Sequence, residues 1–240
     1  MSDLYRNELI AQLPGLLRGK IQTLSRVMIL RTGQDLSFAG NPTNYVYFPE
    51  TALLSLAQVL PDSTRTEIMT VGVEGMLTVP GCNADRASLV ALALNGGSAL
   101  RIPQIALRQL AETHHPLQTL LTAYNDFTTQ QMCQVIACYR HHSIKQQLSR
   151  WLLAHDDRYP NAPIQTTHAA LAGRLGVRRE AVSTVASYLQ RVGALHYHRG
   201  QIEWIDRSIL LVQSCDCYHA LHTIEQKKAQ QFMLGLAVRN

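Results

Sequence analysis

The chain has 240 residues, of which 46% are hydrophobic and 16% charged. That length suffices for two modest domains, each with its own core. No apolar run approaches the roughly 20 residues that cross a bilayer, and the N-terminus lacks the basic and apolar blocks of a secretory signal. The composition therefore predicts a globular cytoplasmic protein with no membrane partner. Its five cysteines, an odd number at scattered spacings, are expected to be reduced thiols.

Charge is distributed unevenly along the chain. Residues 1–115 contain nine Lys or Arg and nine Asp or Glu, whereas residues 116–240 contain thirteen and eight, so the net charge of +5 lies in the second half. A basic half joined to a neutral half is typical of a nucleic-acid reader attached to a sensing or assembly domain, although basic surfaces often bind no ligand.

The first hundred residues favour β-structure. Residues 4–24 fit one or two short helices broken at Pro14-Gly15. From about Arg26 to Arg101, short apolar runs alternate with turn residues, which is typical of an antiparallel sandwich or barrel. Pro61-Asp62-Ser63 stands between two such runs and predicts a hairpin connection.

A helical period then predicts one long helix over residues 116–141, about 39 Å in length. Its apolar stripe either packs on the β domain or forms a homodimer seam, and we favour the seam because so long a stripe would otherwise leave apolar surface uncovered. The residues of the stripe assigned to this dimer interface are Leu117, Leu120, Leu121, Tyr124, Phe127, Met132, Val135 and Ile136.

The last third of the chain has the order of a winged helix-turn-helix. A helix from Ser143 to His155 is followed by a linker marked by Pro160 and Pro163. Thr167 can cap the next helix, Gly176 breaks the chain, and a further helix runs to Gly193. Two extended runs in YHRGQIEWI then surround Arg199-Gly200 and supply the wing.

The helix after Gly176 has two different faces. Val182, Val185, Ala186 and Leu189 recur at helical spacing and predict a buried face. The opposite face is polar. The second helix of a helix-turn-helix enters the major groove with its N-terminal residues at the base edges, so Arg179 can donate to guanine and Glu180 can accept from cytosine.

Thr167 to Val182, read as THAALAGRLGVRREAV, resembles the helix-turn-helix of the Crp/Fnr family of bacterial transcription regulators. The family pattern is roughly T-x-x-x-[LI]-A-x-x-L-G-x-[ST]-x-E-[TS]-[VI]. GQDLSFAGNPTNYVYFPETALLSL is similar to the opening strands of the family's cyclic-nucleotide-binding-like domain. CYRHHSIKQQLSRWLL is similar to the helix that leads into its DNA-binding domain. The resemblance thus covers most of the chain.

The resemblance implies an α+β chain: an N-terminal antiparallel β-roll (jelly-roll-like) domain, a long dimerisation helix and a C-terminal winged helix-turn-helix. The corresponding ranges are 1–115 for the β-roll sensor domain, 116–141 for the dimerisation helix, 142–163 for a connecting helix and linker, and 164–240 for the DNA-binding domain. A homodimer would bind a two-fold symmetric double-stranded DNA operator, and would contact RNA polymerase if it activates transcription.

Carried onto this chain, the resemblance implies two sets of DNA contacts. The residues expected to read bases are Arg179, Glu180, Ser183 and Thr184. The residues expected to hold phosphates are Thr167, His168, Arg178, Ser187, His198 and Arg199. Arg178 departs from the family, which often has a capping Ser or Thr there, and Thr184 replaces a frequent second arginine. These departures leave the helix cap and the half-site sequence open.

Relatives that bind cyclic AMP have a G-E pair followed about ten residues on by R-S. Here Glu74-Gly75 is reversed and Arg86 is followed by Ala87-Ser88. Arg86 is therefore only a weak candidate for an effector anion, and cyclic AMP is not predicted. The effector, if there is one, is unidentified.

Cofactors, metals and catalysis find little support in the sequence. Cys215, Cys217 and His219 could offer metal ligands, as could Cys133 and Cys138, but the C-x2-C pairs of zinc sites are missing, so we expect structural thiols and no metal or cofactor. All ten histidines follow residue 113, which argues against a cupin-type enzyme. The alternative to a regulator is an interaction module that has lost specific DNA binding.

Overall fold

The computed structural model describes residues 6–36, 45–78, 88–160 and 162–237, with side chains as far as Lys227. The helices are α1 Glu8–Ala11, α2 Gly15–Leu24, α3 Gln104–Thr113, α4 His115–His141, α5 Ile144–Arg158, α6 His168–Leu175, α7 Arg179–Arg191, α8 Arg207–Gln213 and α9 Cys217–Ala237. The strands are β1 Arg26–Leu30, β2 Tyr45–Pro49, β3 Leu53–Val59, β4 Arg65–Val71, β5 Leu77–Thr78, β6 Leu89–Asn95, β7 Gly97–Pro103, β8 Ile164–Gln165, β9 Leu195–His198 and β10 Gln201–Ile205.

The predicted antiparallel β region is confirmed. Its strands form one sheet in the order β1-β7-β2-β5 and another in the order β4-β3-β6. The turn between β3 and β4 lies at the predicted Pro61-Asp62-Ser63, where the Asp62 carboxylate accepts from the Thr64 backbone N–H at 2.9 Å and Ser63 has a φ of 66°. Such side-chain bonding to the following backbone is the usual reason why Asp occupies turns.

The helices around the first sheet supply much of its core. α1 and α2 are separated at Pro14, as predicted, and bury Leu9, Ile10 and Leu17 in one cluster with strand residues such as Phe48 and Ile102. Asn7 caps α1 and also donates to the carbonyls of Pro49 and Gly75. This fully buried amide thus ties the N-terminal helices to the strands, because each of its polar atoms has a partner.

The predicted long helix is confirmed as α4, which runs from His115 to His141. Its N-terminal half is part of a core within the same chain. The Tyr124 hydroxyl accepts from the Met76 backbone N–H at 2.9 Å and donates to the Met76 carbonyl at 2.7 Å. The stripe residues buried in this core are Leu117, Leu120, Tyr124 and Phe127.

The C-terminal half of α4 is different, because Ile136 has 57% of its surface exposed. Met132 is partly exposed, while Val135 is buried. The first half of the stripe therefore packs on the β domain of the same chain, which is the alternative to the dimer seam that the sequence favours. Ile136 is thus the large apolar side chain that the described part of this half of α4 exposes.

The described residues divide into two compact units. One comprises Met1–Val59, Met69–Gln130 and Ile224–Asn240; the other comprises Leu60–Ile68 and Gln131–Thr223. The second contains α5 to α8 and a three-stranded antiparallel sheet in the order β8-β10-β9. Residues 219–240, for which the sequence left open a helix or a loose tail, are helical as far as Ala237. No described helix is long and apolar enough to cross a membrane.

Candidate nucleic-acid interface

Two helices and a tight turn form the centre of the candidate site. The Thr167 hydroxyl caps α6 by accepting from the Ala170 backbone N–H at 3.1 Å, as predicted. α6 ends at Gly176, whose φ of 65° suits glycine because it has no Cβ to clash. The chain then reverses over Val177 and Arg178, and α7 begins at Arg179.

The inner face of α7 fixes the rotation of the helix. Val182 and Leu189 are fully buried and Ala186 is 5% exposed. α6 contributes Leu171 and Leu175, which are also buried. Because this apolar face can be covered only when it points into the unit, the polar face of α7 must point outward. The predicted division of α7 into two faces is thus observed, although Val185 of the predicted inner face is only partly buried.

The outer face begins with exposed charged groups. Arg178, Arg179 and Glu180 are all exposed, and so are Thr184 and Ser187 farther along. The Thr184 hydroxyl donates to the Glu180 carbonyl at 3.0 Å, which leaves its lone pairs free to accept from a ligand. Arg179 and Glu180 therefore stand on the first turn of α7 with their side chains in solvent.

Ser183 is held by a neighbouring helix. Its hydroxyl lies 3.0 Å from Nδ1 of His168, and the imidazole stacks on the Tyr197 ring with centroids 4.5 Å apart. The second imidazole nitrogen of His168 is buried. Desolvation, aided by the charge of Arg179, lowers the pKa of His168 and so favours the neutral ring. This geometry favours a role in orienting Ser183 over the predicted phosphate contact of His168.

The wing is a two-residue hairpin between β9 and β10. His198 and Arg199 are exposed at its tip, where Arg199 has a φ of 45° and Gly200 a φ of 81°. These dihedrals match a turn whose twist suits antiparallel strands. Farther along the wing, the half-exposed Trp204 ring stacks on His196 at 6.0 Å.

A basic and aromatic group escaped the sequence analysis. Lys145 Nζ lies 5.4 Å from the centre of the Tyr188 ring, and the Arg191 guanidinium lies 5.6 Å from the same ring. With Thr184 and Ser187 they line one groove on α7. Lys145 is forty-three residues away from Tyr188 in sequence, so helical periodicity could not link them.

A buried ion pair holds α6. The Arg174 guanidinium donates to the Glu67 carboxylate at 3.2 Å, and the Trp151 indole donates to the other oxygen of that carboxylate at 2.7 Å. Glu67 is 4% exposed. Both carboxylate oxygens thus have donors, which a buried charge requires. This contact fixes α6 and α5 against each other within the second unit.

Arg178 occupies the N-cap of α7 without a side-chain capping bond. The sequence left the cap of this helix open, and the structure shows that Arg178 does not cap it. A guanidinium has no acceptor atom for the free backbone N–H groups. The weak effector candidate Arg86 lies outside the described residues. The predicted base-reading residues lie together on α7, and the remaining predicted phosphate residues lie on α6, α7 and the wing.

Comparison with known proteins agrees with this geometry. Residues 146–211 match the Crp-like helix-turn-helix domain. The fold is similar to that of a Crp/Fnr-family transcriptional regulator from Eubacterium rectale, with a TM-score of 0.69, 14% identity and coverage of 86% of this chain and 97% of the other. The fold is also similar to that of FixK2 from Bradyrhizobium japonicum, with a TM-score of 0.66 and 18% identity. That match covers 80% of this chain and 98% of the other.

A CRP-family transcriptional regulator from Thermus thermophilus gives a TM-score of 0.65 at 15% identity, over 78% of this chain and 96% of the other. No curated protein sequence matches significantly. The predicted fold class is thus confirmed: antiparallel sheets, a long helix and a Crp-like helix-turn-helix domain in the Crp/Fnr arrangement of elements.

Proposed function

We propose that this chain, which has a Crp-like helix-turn-helix domain on a Crp/Fnr-type fold, is a sequence-specific DNA-binding transcription regulator. One observation carries the proposal: α7 buries one face in its own unit and exposes Arg179 and Glu180 on its first turn. Charged side chains at the start of a second helix are the groups that reach base edges when such a helix enters the major groove.

In this proposal, Arg179 and Glu180 are the principal base readers. Ser183 and Thr184 assist, since each hydroxyl already has one partner in the protein and is therefore fixed in direction. A fixed hydroxyl loses less entropy than a rotating one when it binds, so it contributes more to the affinity for a base that it can reach.

Phosphate contacts surround these readers. Thr167, Arg178, Ser187, His198 and Arg199 remain candidates from the sequence, and all five are exposed. The structure adds Lys145 and Arg191, whose charges flank the Tyr188 ring. Such cations fix the position of a protein on the duplex without selecting a sequence.

We propose further that the regulator is a homodimer that joins through the exposed C-terminal half of α4. Ile136 supports this, because a half-exposed isoleucine on a helix is a natural centre for a symmetric contact. A role on chromosomal DNA implies a cytoplasmic location and does not call for enzymatic chemistry.

The test is selection from random DNA. The purified full-length chain is incubated with a library of random duplexes, and the retained fragments are sequenced. We expect a two-fold symmetric motif, because each subunit of a dimer presents the same recognition helix. A chain that retains no duplex at low salt would contradict the proposal and favour the interaction module. Retained duplexes that share no motif would support DNA binding but contradict sequence specificity.

A further inference from the structure

Three thiols and an imidazole meet at the end of α4. Cys138 lies in the last turn of α4, and the backbone N–H of His142 donates to the Cys138 carbonyl at 3.1 Å. The two side chains are therefore one helical turn apart and share a face. Cys215 lies in the connection between α8 and α9, and Cys217 is the first residue of α9, within the same unit.

The four groups are close enough to share one ion. The sulfurs of Cys138 and Cys215 are 3.6 Å apart, and Cys217 Sγ is 3.5 Å from Nδ1 of His142. All four ligand atoms lie within 4.8 Å of one another. Tetrahedral zinc, with bonds of about 2.3 Å to sulfur and about 2.0 Å to nitrogen, separates two sulfurs by about 3.8 Å and sulfur from nitrogen by about 3.5 Å.

The surroundings suit thiolate ligands. All three cysteines are buried, and the Gln134 side-chain amide donates to Cys217 Sγ at 3.1 Å. The buried guanidinium of Arg150, which is 4% exposed, interacts electrostatically with Cys138 and Cys215. Zn²⁺ with three thiolates and one neutral imidazole has a net charge of −1, and the guanidinium balances it. Such donors around a ligand set orient the ligands and hold the charge of the metal complex.

We propose that Cys138, His142, Cys215 and Cys217 bind one zinc ion. The sequence led us to expect structural thiols, because C-x-C is not the usual zinc spacing. The fold supplies the missing pair from α4, seventy-three or more residues away. Four protein ligands leave no open coordination position, so the site is structural and fastens the segment after α8 to the end of α4. It is independent of the proposed DNA contacts.

The test measures metal in the intact chain. The full-length protein is purified without chelators under reducing conditions, and its zinc content is determined by mass spectrometry. We expect about one zinc per chain, a loss of zinc in Cys138→Ser, Cys217→Ser and His142→Ala, and retention in the controls. Cys133→Ser and His141→Ala are matched controls, because both residues are exposed on the same helix outside the cluster.

A second measurement covers the case in which ligand variants fail to fold. The metal is removed from the wild-type protein with a chelator, and Co²⁺ is added. We expect the spectrum of tetrahedral cobalt with thiolate ligands, which has intense visible bands and thiolate-to-metal bands in the ultraviolet. We also expect chelation to lower the Tm of the wild type and not that of any ligand variant that folds. A chain that purifies without zinc and gives no tetrahedral cobalt spectrum would overturn the proposal.

Other outcomes also count against it. Zinc lost equally from Cys133→Ser would place the metal elsewhere. Iron with sulfide in place of zinc would overturn the identity of the ion. A Cys138–Cys215 disulfide found by peptide mapping of freshly purified chain would remove two ligands and overturn the site.

Discussion

Arg179 and Arg199 are exposed arginines of the same unit in different settings. Arg179 begins the recognition helix, whereas Arg199 stands at the tip of the wing. We expect Arg179→Ala to cost about 1 to 3 kcal/mol of binding free energy at the selected motif and to relax the preference at one base pair. We expect Arg199→Ala to weaken binding to all sequences. The slope of the logarithm of the binding constant against the logarithm of the salt concentration should fall in magnitude by about 1.

Binding titrations on the motif and on single-base variants, at several salt concentrations, check this pair. Arg179→Lys is the matched control, because it keeps the charge but loses the bidentate donor geometry. It should relax the base preference as Arg179→Ala does. If Arg179→Ala instead weakened all sequences equally, the residue would hold a phosphate and not a base.

His155 is buried between the rings of Trp151 and Tyr159, at centroid distances of 5.4 and 6.2 Å. Desolvation, with the nearby charges of Arg174 and Arg158, lowers its pKa from 6.5 to about 4. The unfolded chain therefore binds the proton more tightly. The stabilising contribution is complete above pH 6.5 and is lost as the pH falls toward 4, by about 3 kcal/mol in all.

The measurement is the free energy of unfolding from urea titrations across that pH range, for wild type and His155→Phe. The phenyl ring keeps the stacking and removes the titration, so the difference between the two proteins should grow as the pH falls below 6.5. A difference that stays constant with pH would mean that folding does not lower the pKa of His155.

The caps of α6 and α7 are opposites. Thr167 caps α6, and Arg178 leaves α7 without a side-chain cap. We expect Arg178→Ser to raise the free energy of unfolding by about 1 kcal/mol, because a hydroxyl can accept from the free N–H groups. The same change should weaken DNA binding at low salt, since it removes a proposed phosphate contact.

Thr167→Ala is the opposing control and should lower the free energy of unfolding by about 1 kcal/mol. Chemical denaturation of the three proteins checks the stability part, and salt-dependent DNA titrations check the binding part. A stabilised Arg178→Ser variant with wild-type DNA affinity would remove Arg178 from the phosphate contacts.

Local sequence patterns predict most of the long helices and the turns well. An apolar stripe of 3.6-residue period predicts a helix over residues 116–141, and α4 spans His115–His141. The turn at Gly176 and the wing follow from glycine and from alternating strands. α8, capped by Asp206, was missed because its seven residues are too short to show a period.

Pairings across the chain could not be predicted. Nothing local links Lys145 to Tyr188, or Cys138 to Cys215, because these contacts depend on how α5, α7 and the end of α8 pack. The apolar stripe on α4 shows the same limit. Its sequence indicates that one face is buried. It does not indicate whether that face packs on Met76 and the strands of the same chain or on a second copy of the chain.

For the whole molecule, the state of assembly depends on the C-terminal half of α4. We expect Ile136→Lys to weaken self-association by roughly tenfold or more, because a symmetric contact contains the residue twice and each copy loses buried apolar area. Sedimentation equilibrium checks this. Ile105→Lys is the control, since Ile105 on α3 is 59% exposed and close to the 57% of Ile136.

Two further results would bear on the dimer. If the Ile136→Lys variant is monomeric, its affinity for a symmetric motif should fall while its affinity for a single half-site remains, because each recognition helix is intact. A variant that associates like wild type, or an Ile105→Lys variant that dissociates as well, would contradict an interface centred on Ile136.

The contact between Cys138 and Cys215 has an evolutionary consequence. It brings together the two places where the chain enters and leaves the segment that contains α5 to α8. A segment whose ends meet can be exchanged between proteins without stretching the remaining chain. Some partners lie outside this segment and would be left behind, among them Glu67, whose carboxylate holds Arg174 and Trp151. A transplanted segment would therefore function best where position 67 travels with it, or where Arg174 and Trp151 are replaced by apolar residues that need no counter-charge.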